Sequence, residues 1–318
     1  MISPPFLVSF PDAESLKAAL QNDVRDAYWA DVERLIERGL PPAASIRVLA
    51  CMFGFSSKFV GALRRKPHSY YRTFVIRKGK KRREIQAPKV ALKVIQKWFG
   101  FHLAQKLRFD PVVFGFVSGK SAPQAAAVHC GASWVYSLDI ANFFPTTPQQ
   151  RVTEALTGIG YSAHAAELMS TLCCYLGNLA QGSPASPVLS NLVFSPNDKL
   201  LQQIAVDTGS RYTRYADDIV FSGTGEPPEN LAECVSAVVT GAGWTVSKGK
   251  ERMAVLPHRL KVHGLLVHGE KPRLTKGYRN RIRAFAHLTR QGKVKPEDVH
   301  RVNGHLSYAK SVENLTIS

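Results

Sequence analysis

An α+β fold with an N-terminal helical extension is predicted by three features of the chain. Two stretches of helical apolar spacing come before residue 70, short β-prone runs fill 70 to 270, and a basic tail from Lys271 returns to helical spacing. These changes of pattern divide the chain into residues 1–69, 70–270 and 271–318. With 318 residues, 45% of them hydrophobic and 21% charged, the chain has apolar side chains enough for two or three cores, which excludes disorder as its default state.

Residues 12 to 38 read as one amphipathic helix. Asp12 suits its N-cap, Leu16, Leu20, Val24, Tyr28, Val32, Leu35 and Ile36 recur at helical spacing, and Gly39 with Pro41-Pro42 stops it. A second helical stretch over 43 to 65 is broken near Gly54 and ends in Arg64-Arg65-Lys66. From Tyr70 a β-prone run leads through a turn at Gly79, inside a basic segment, to a returning strand from Arg83 to Pro88: a basic hairpin. Helical spacing resumes over 89 to 108. Trp134 to Ile140 is a short apolar strand carrying Asp139, and after Asn142-Phe143-Phe144 the proline at 145 ends the local structure. Residues 148 to 176 are mostly helical. Gln181-Gly182-Ser183-Pro184-Ala185-Ser186-Pro187 is a loop of small and rigid residues that lets backbone approach a ligand, and it runs into a helix over 188 to 204. Two short strands flank a turn at Ala216 to Asp218, then come a helix over 229 to 243, a strand at Trp244 to Val246, a basic turn at Lys248-Gly249-Lys250, and β-prone pieces at 253–256 and 260–267. In the tail, Tyr278, Ile282, Phe285 and Leu288 mark one helix face, and Lys276, Arg279, Arg281, Arg283 and Arg290 crowd the rest.

Forty-two Lys and Arg against 24 Asp and Glu give a net charge of +18, which points to a polyanionic partner, nucleic acid first. No apolar run is long enough to span a membrane, and Met1-Ile2-Ser3-Pro4-Pro5 lacks the basic and apolar segments of a secretory signal, so a cytoplasmic protein without a membrane partner is expected. Cys51, Cys130, Cys173, Cys174 and Cys234 are odd in number and show no C-x-x-C spacing, which argues against a disulfide framework or a structural zinc and for buried thiols.

The chemistry concentrates in Tyr215-Ala216-Asp217-Asp218. Two adjacent carboxylates in a β-prone run repel each other unless a cation lies between them, and magnesium is the expected cation. On the dipeptide alone an ordinary Asp-Asp turn competes with this reading. Asp139 adds a third acid on a separate β element. Three carboxylates with a Gly/Ser/Pro loop and a basic hairpin fit phosphoryl transfer by two magnesium ions about 3.5–4 Å apart, since hard cations take oxygen ligands.

Read together, Ser137-Leu138-Asp139-Ile140 with Phe143-Phe144, Gln181 to Pro187 with Asn191-Leu192, and Arg214-Tyr215-Ala216-Asp217-Asp218 resemble reverse transcriptases of the bacterial type, in the order that family requires. Arg83-x-Ile85-x-x-Pro88 and Gly115-Phe116 with Gly119-Lys120-Ser121 add to the likeness. It is closer to retron than to group II intron enzymes, because the chain ends soon after a short basic thumb. Two retron elements differ: Ala125-Ala126-Ala127-Val128-His129 keeps a histidine but lacks the asparagine, and Val262-His263-Gly264 has histidine where threonine is usual.

The resemblance implies a right-hand polymerase of fingers, palm and short helical thumb. Residues 1–69 would be the N-terminal helical extension, 70–270 the fingers and palm, and 271–318 the thumb. It implies that Asp139, Asp217 and Asp218 bind two magnesium ions, with manganese as a substitute and the carbonyl of Ile140 as a further ligand. Phe144 would be the gate against the nucleotide 2′-hydroxyl, Gln181 would lie near the incoming sugar, and Arg83, supported by Lys80, Lys81 or Arg82, would hold the dNTP triphosphate. Phe143 is expected in the core. His129 and His263 read equally as RNA contacts or as satisfied interior histidines, and Lys276, Arg279 and Arg283 as contacts to RNA phosphates. The implied partners are a structured noncoding RNA of the msr-msd type, its cDNA, a separate effector protein in anti-phage defence, and a host RNase H for template removal. The expected product is a branched RNA–DNA hybrid, msDNA. Other readings stay open: an abortive-infection, diversity-generating or CRISPR-associated reverse transcriptase, or a nucleic-acid scaffold restraining an effector. A nucleotide cyclase on a similar palm is disfavoured by the Gln181 loop, the thumb and the charge.

Overall fold

Helices and strands come in separate runs and the named strand pairs are antiparallel, as in an α+β chain, in the computed structural model that describes residue 10 and residues 12–79 and 81–315. The Met1 to Pro5 segment and Lys80 lie outside the described residues. In chain order the elements are α1 (Ala13–Ala19), α2 (Asn22–Glu37), α3 (Ile46–Phe53), α4 (Ser57–Arg65), β1 (Tyr71–Lys78), β2 (Lys81–Pro88), α5 (Val90–Lys106), α6 (Ala122–Val128), β3 (Trp134–Asp139), α7 (Gln149–Ile159), α8 (Ala163–Cys173), β4 (Cys174–Tyr175), β5 (Asn178–Leu179) and α9 (Ser186–Asp207). Then follow β6 (Arg211–Tyr215), β7 (Asp218–Gly223), α10 (Leu231–Gly241), β8 (Arg252–Val255), β9 (Lys261–Val262), β10 (Leu265–Leu266), β11 (Arg273–Leu274), α11 (Lys276–Arg290) and α12 (Val299–Glu313).

Two units result, one of Met1–Phe109 with Asn142–Ser195 and one of Asp110–Ala141 with Pro196–Ser318. In the first, Asp12 caps α1 by accepting from the Ser15 amide at 2.7 Å. The stretch read as one helix over 12 to 38 is two. Leu20 and Gln21 are extended, and Asn22 and Asp23, residue types that favour helix starts over helix interiors, open α2. The break at Gly54 is where it was expected, with φ of 64°. Buried Val32, Leu35, Leu49, Phe53, Leu63 and Phe99 lie in this unit's core. The hairpin of β1 and β2 pairs Tyr71 with Pro88 through to Lys78 with Lys81.

The second unit is built on an antiparallel sheet in the order β6-β7-β3-β8. A second sheet, β11-β10-β9, and α12 share with it a core that includes Val135, Val220, Leu260, Val262, Leu265, Ala309 and Val312. The single β piece expected over 260 to 267 is a hairpin. His263 and Gly264 have φ of 48° and 84°, the positive pair that a two-residue type I′ turn needs. Trp244 to Val246 form one bridge, Val246 with Ile140, rather than a strand. The tail holds a second helix, α12, beside α11, with the Tyr278 hydroxyl 2.7 Å from His305 Nδ1.

All five cysteines are free, but only Cys173 and Cys174 are buried. Cys51 and Cys130 are half-buried and Cys234 is exposed, because it lies on the outer side of amphipathic α10, whose Leu231, Val235 and Val239 face inward. Among the described residues no helix is long and apolar enough to cross a membrane.

Candidate active site

The strand register brings the acids together. Asp139, the last residue of β3, stands directly opposite Asp218, the first of β7, and Tyr215 closes the β6–β7 hairpin against Asp218. The Ile140 amide donates to the Asp217 carbonyl at 2.9 Å, so the strand carrying the first acid is tied to the turn carrying the other two. Ala216 sits in that turn with φ of 59°, where a two-residue hairpin favours glycine, so the turn is strained. Two neighbours over-determine it. Arg214, fully buried, donates from Nη1 to the Ala216 carbonyl at 3.0 Å while gripping Asp198 through Nε and Nη2, both at 2.7 Å. Gly115 packs so closely that a Cβ there would meet the Ala216 nitrogen at 2.1 Å, and the Phe114 amide donates to the Arg214 carbonyl at 2.8 Å.

A pocket of about 160 Å³ opens on Asp139 and Asp218, lined also by Ser137, Lys250, Lys261 and His263. Burial pushes the Asp139 carboxyl up to about 6, and Asp217 and Asp218 push the same way, against the opposing pull of the Lys250 ammonium that is ion-paired to it. Burial would also raise Asp218, but His263, Asp139 and Lys250 outweigh it and hold that carboxyl below its usual range. His263 Nδ1 is 3.7 Å from Asp218 Oδ2, beyond hydrogen-bond reach. A buried carboxylate balanced by a lysine, opposite a second carboxylate held in its charged form, fits a hard divalent cation, and every donor offered by the acids is oxygen. Among the described residues no three His, Cys, Asp or Glu side chains already converge as a metal cage.

The remaining predicted residues divide between the units. Arg83 on β2 is exposed in the first unit, and Gln181 is held there by Gln86, which accepts from the Gln181 amide at 2.8 Å through its side chain and donates to the Gln181 carbonyl at 2.9 Å through its backbone. Phe144 is half-buried and stacked on Phe143, whose centroid is 5.9 Å away. Phe143 is core as expected, edge-on to Phe194. In the second unit Lys276, Arg279 and Arg283 are exposed on α11.

His129 requires a correction as an RNA contact. It is fully buried, with its ring nitrogens 2.7 Å from Ser222 Oγ and from Thr213 Oγ1, and burial lowers its pKa to about 3, helped by Arg211 and His263. Both nitrogens are satisfied inside the protein, so the ring braces β6 against β7. The His263 side chain is only 6% exposed, tilted against Tyr215 with centroids 5.2 Å apart, and faces Asp218; it too is interior rather than on an RNA-facing surface.

Sequence reasoning missed Lys250, which looked like one more cation of a basic turn, and Asp198, an acid inside a helix. Only strand register and helix packing reveal their partners. Arg214, to which the sequence assigns no role of its own, holds the turn's carbonyl.

The model of the reverse transcriptase (RNA-dependent DNA polymerase) family matches residues 66–282. The retron Ec86 reverse transcriptase of Escherichia coli is 28% identical over 295 residues, covering 92% of this chain and 92% of that protein. Two relatives come from Myxococcus xanthus. The retron Mx65 reverse transcriptase is 30% identical over 309 residues, covering 88% of this chain and 71% of its own length. The retron Mx162 reverse transcriptase is 31% identical over 301 residues, with 82% and 62% covered.

Proposed function

This chain belongs to the retron-type reverse transcriptases and is an RNA-directed DNA polymerase with a right-hand polymerase fold, and from that premise we propose how its residues work. Asp139, Asp217 and Asp218, with the Ile140 carbonyl, would hold two magnesium ions, for which manganese substitutes. Bound there, the metal would activate the attacking hydroxyl and neutralise charge on the triphosphate and leaving pyrophosphate. Lys250 balances the charge of Asp139, and His263 with Lys250 favours the ionised form of Asp218. Arg83 binds triphosphate oxygens with its planar fork of donors, and Gln181 orients the sugar. Phe144 excludes a 2′-hydroxyl by bulk, without a hydrogen bond. Lys276, Arg279 and Arg283 follow the phosphates of a structured noncoding RNA. The product in this reading is a branched RNA–DNA hybrid, msDNA, made in the cytoplasm, trimmed by a host RNase H and used with an effector protein in anti-phage defence.

The observation that carries the catalytic assignment is the register that sets Asp139 opposite Asp218 beside the strained Ala216 turn. Purified protein with its copurified RNA, magnesium and labelled dNTPs should make DNA, and Asp217→Asn or Asp218→Asn should lower the rate by about a thousandfold or more. Product from either variant equal to wild type would sink the assignment. Phe144→Ala should raise the ratio of ribonucleotide to deoxynucleotide incorporated, and an unchanged ratio removes the gate. Sequencing the copurified nucleic acid tests the branched product.

A further inference from the structure

Beside the acid pocket the second unit has another cavity, of about 380 Å³, that the roles above leave unused. It lies along the open edge of the central sheet. Ser137 on β3 faces it, and Arg252 on the edge strand β8 stands opposite Ser137 in the register. Arg259 and Lys261 reach it from the segment that enters β9, and Lys250 lines both this cavity and the acid pocket. Glu251 is the one acid in the lining, and it is engaged by the Tyr136 hydroxyl, which donates to it at 2.7 Å. Arg252, Arg259 and Lys261 form no ion pair among the described residues.

Charge on an exposed edge strand guards against pairing with another chain, and that accounts for Arg252. It does not account for Arg259, in the segment before β9, or for Lys261, on β9 of a different sheet. Cations gathered round one concave space repel each other, and an anion in that space relieves the repulsion. Two guanidinium groups supply paired donors shaped for phosphate oxygens, and a serine hydroxyl adds a further donor.

We propose that this cavity is a second phosphate site, which binds an anion carrying two or more phosphate groups. The ligand is free pyrophosphate or consecutive phosphodiesters of a nucleic-acid strand. Ser137, Lys250 and Lys261 line both cavities, so a ligand here is contiguous with the acid pocket without occupying it.

The test measures binding without catalysis, so its outcome is independent of the polymerase assignment. Radiolabelled pyrophosphate is followed by equilibrium dialysis, and a labelled single-stranded oligonucleotide by fluorescence anisotropy. The proteins are wild type, R252Q/R259Q, and the charge-matched K293Q/K295Q, altered at exposed lysines after α11. R252Q/R259Q should weaken at least one ligand by about tenfold, with K293Q/K295Q staying within about twofold of wild type. Loss confined to pyrophosphate assigns a free polyphosphate, loss confined to the oligonucleotide assigns the strand backbone, and loss of both assigns a site open to either. Equal affinity in all three proteins, or equal loss in both variants, overturns the site. Circular dichroism checks the fold, and should the double variant misfold, K261Q alone is read by the same criteria at about threefold.

Discussion

The β6–β7 hairpin and the β1–β2 hairpin are both antiparallel pairs bearing charged residues, and they are built on opposite terms. In β6–β7 the flanks Tyr212, Thr213, Arg214, Ile219, Val220 and Phe221 are all buried, and the turn is held by Arg214, Asp198 and Gly115. In β1–β2 every residue from Arg72 to Arg77 is exposed, with Phe74 at 40% and Val75 at 57%. The proposed sharing of cations by two carboxylates asks for fixed positions, and their hairpin is locked from both sides. The proposed role of the other hairpin, meeting long and flexible phosphates, asks for reach and charge, and solvent can surround it. Substitutions should therefore be costly in the first and cheap in the second.

The largest effect is expected at Asp198. Asp198→Ala leaves the Arg214 guanidinium buried without its carboxylate, which should cost about 3–5 kcal/mol in urea denaturation. Val75→Ser on the exposed hairpin should stay within about 0.5 kcal/mol. Similar losses at the two positions would break the comparison.

Next comes Gly115. The side chain of Gly115→Ala must displace the backbone of the acid turn, at about 1–3 kcal/mol of stability, and the DNA synthesis rate should fall by more than that loss explains. A stability loss with unchanged rate would show that the turn tolerates movement.

This contrast also explains what could be read from the sequence. The acids, the small-residue loop and the basic hairpin are local patterns, and Asp139, Gln181 and Arg83 could be picked out from them. The supports are not local. Lys250 meets Asp139 across 111 positions and His129 meets Ser222 across 93, so nothing in either neighbourhood announces the partner. His129 shows the limit best: its motif position reads equally as an RNA contact or as a satisfied interior histidine, and only the two buried hydroxyls at its ring nitrogens decide for the interior. The single long helix over 12 to 38 failed for a related reason. Leu16, Leu20 and Val24 keep helical spacing across a break, because both helices bury the same side of the chain.

His129 gives a pH test of the locked region. Its folded pKa, near 3, lies below the ordinary histidine value of 6.5, so between those values the unfolded chain binds the extra proton. Its contribution is complete above about 6.5 and is lost as pH falls, by about 1.4 kcal/mol per unit, or about 2 kcal/mol at pH 5. His129→Gln should flatten that part of the stability profile measured by urea titration. A variant with the same slope as wild type would place the proton uptake elsewhere.

The smallest effects are expected on α11, which buries none of its residues and carries Lys276, Arg279 and Arg283 on its exposed surface. Their spacing of three and four residues sets them on one side of the helix, as a line of separate charges rather than a pocket. Each phosphate neutralised releases counterions independently, so replacing one cation by glutamine should weaken RNA binding by a few fold and lower the salt slope by about one. The three losses should add, because among the described residues no carboxylate is ion-paired to these side chains. Filter binding of a structured RNA across a salt series separates the outcomes. If one substitution cost more than about tenfold with the salt slope unchanged, that side chain would be an ordered contact like those of the acid turn, and the division between locked acids and replaceable cations would have to be redrawn along α11.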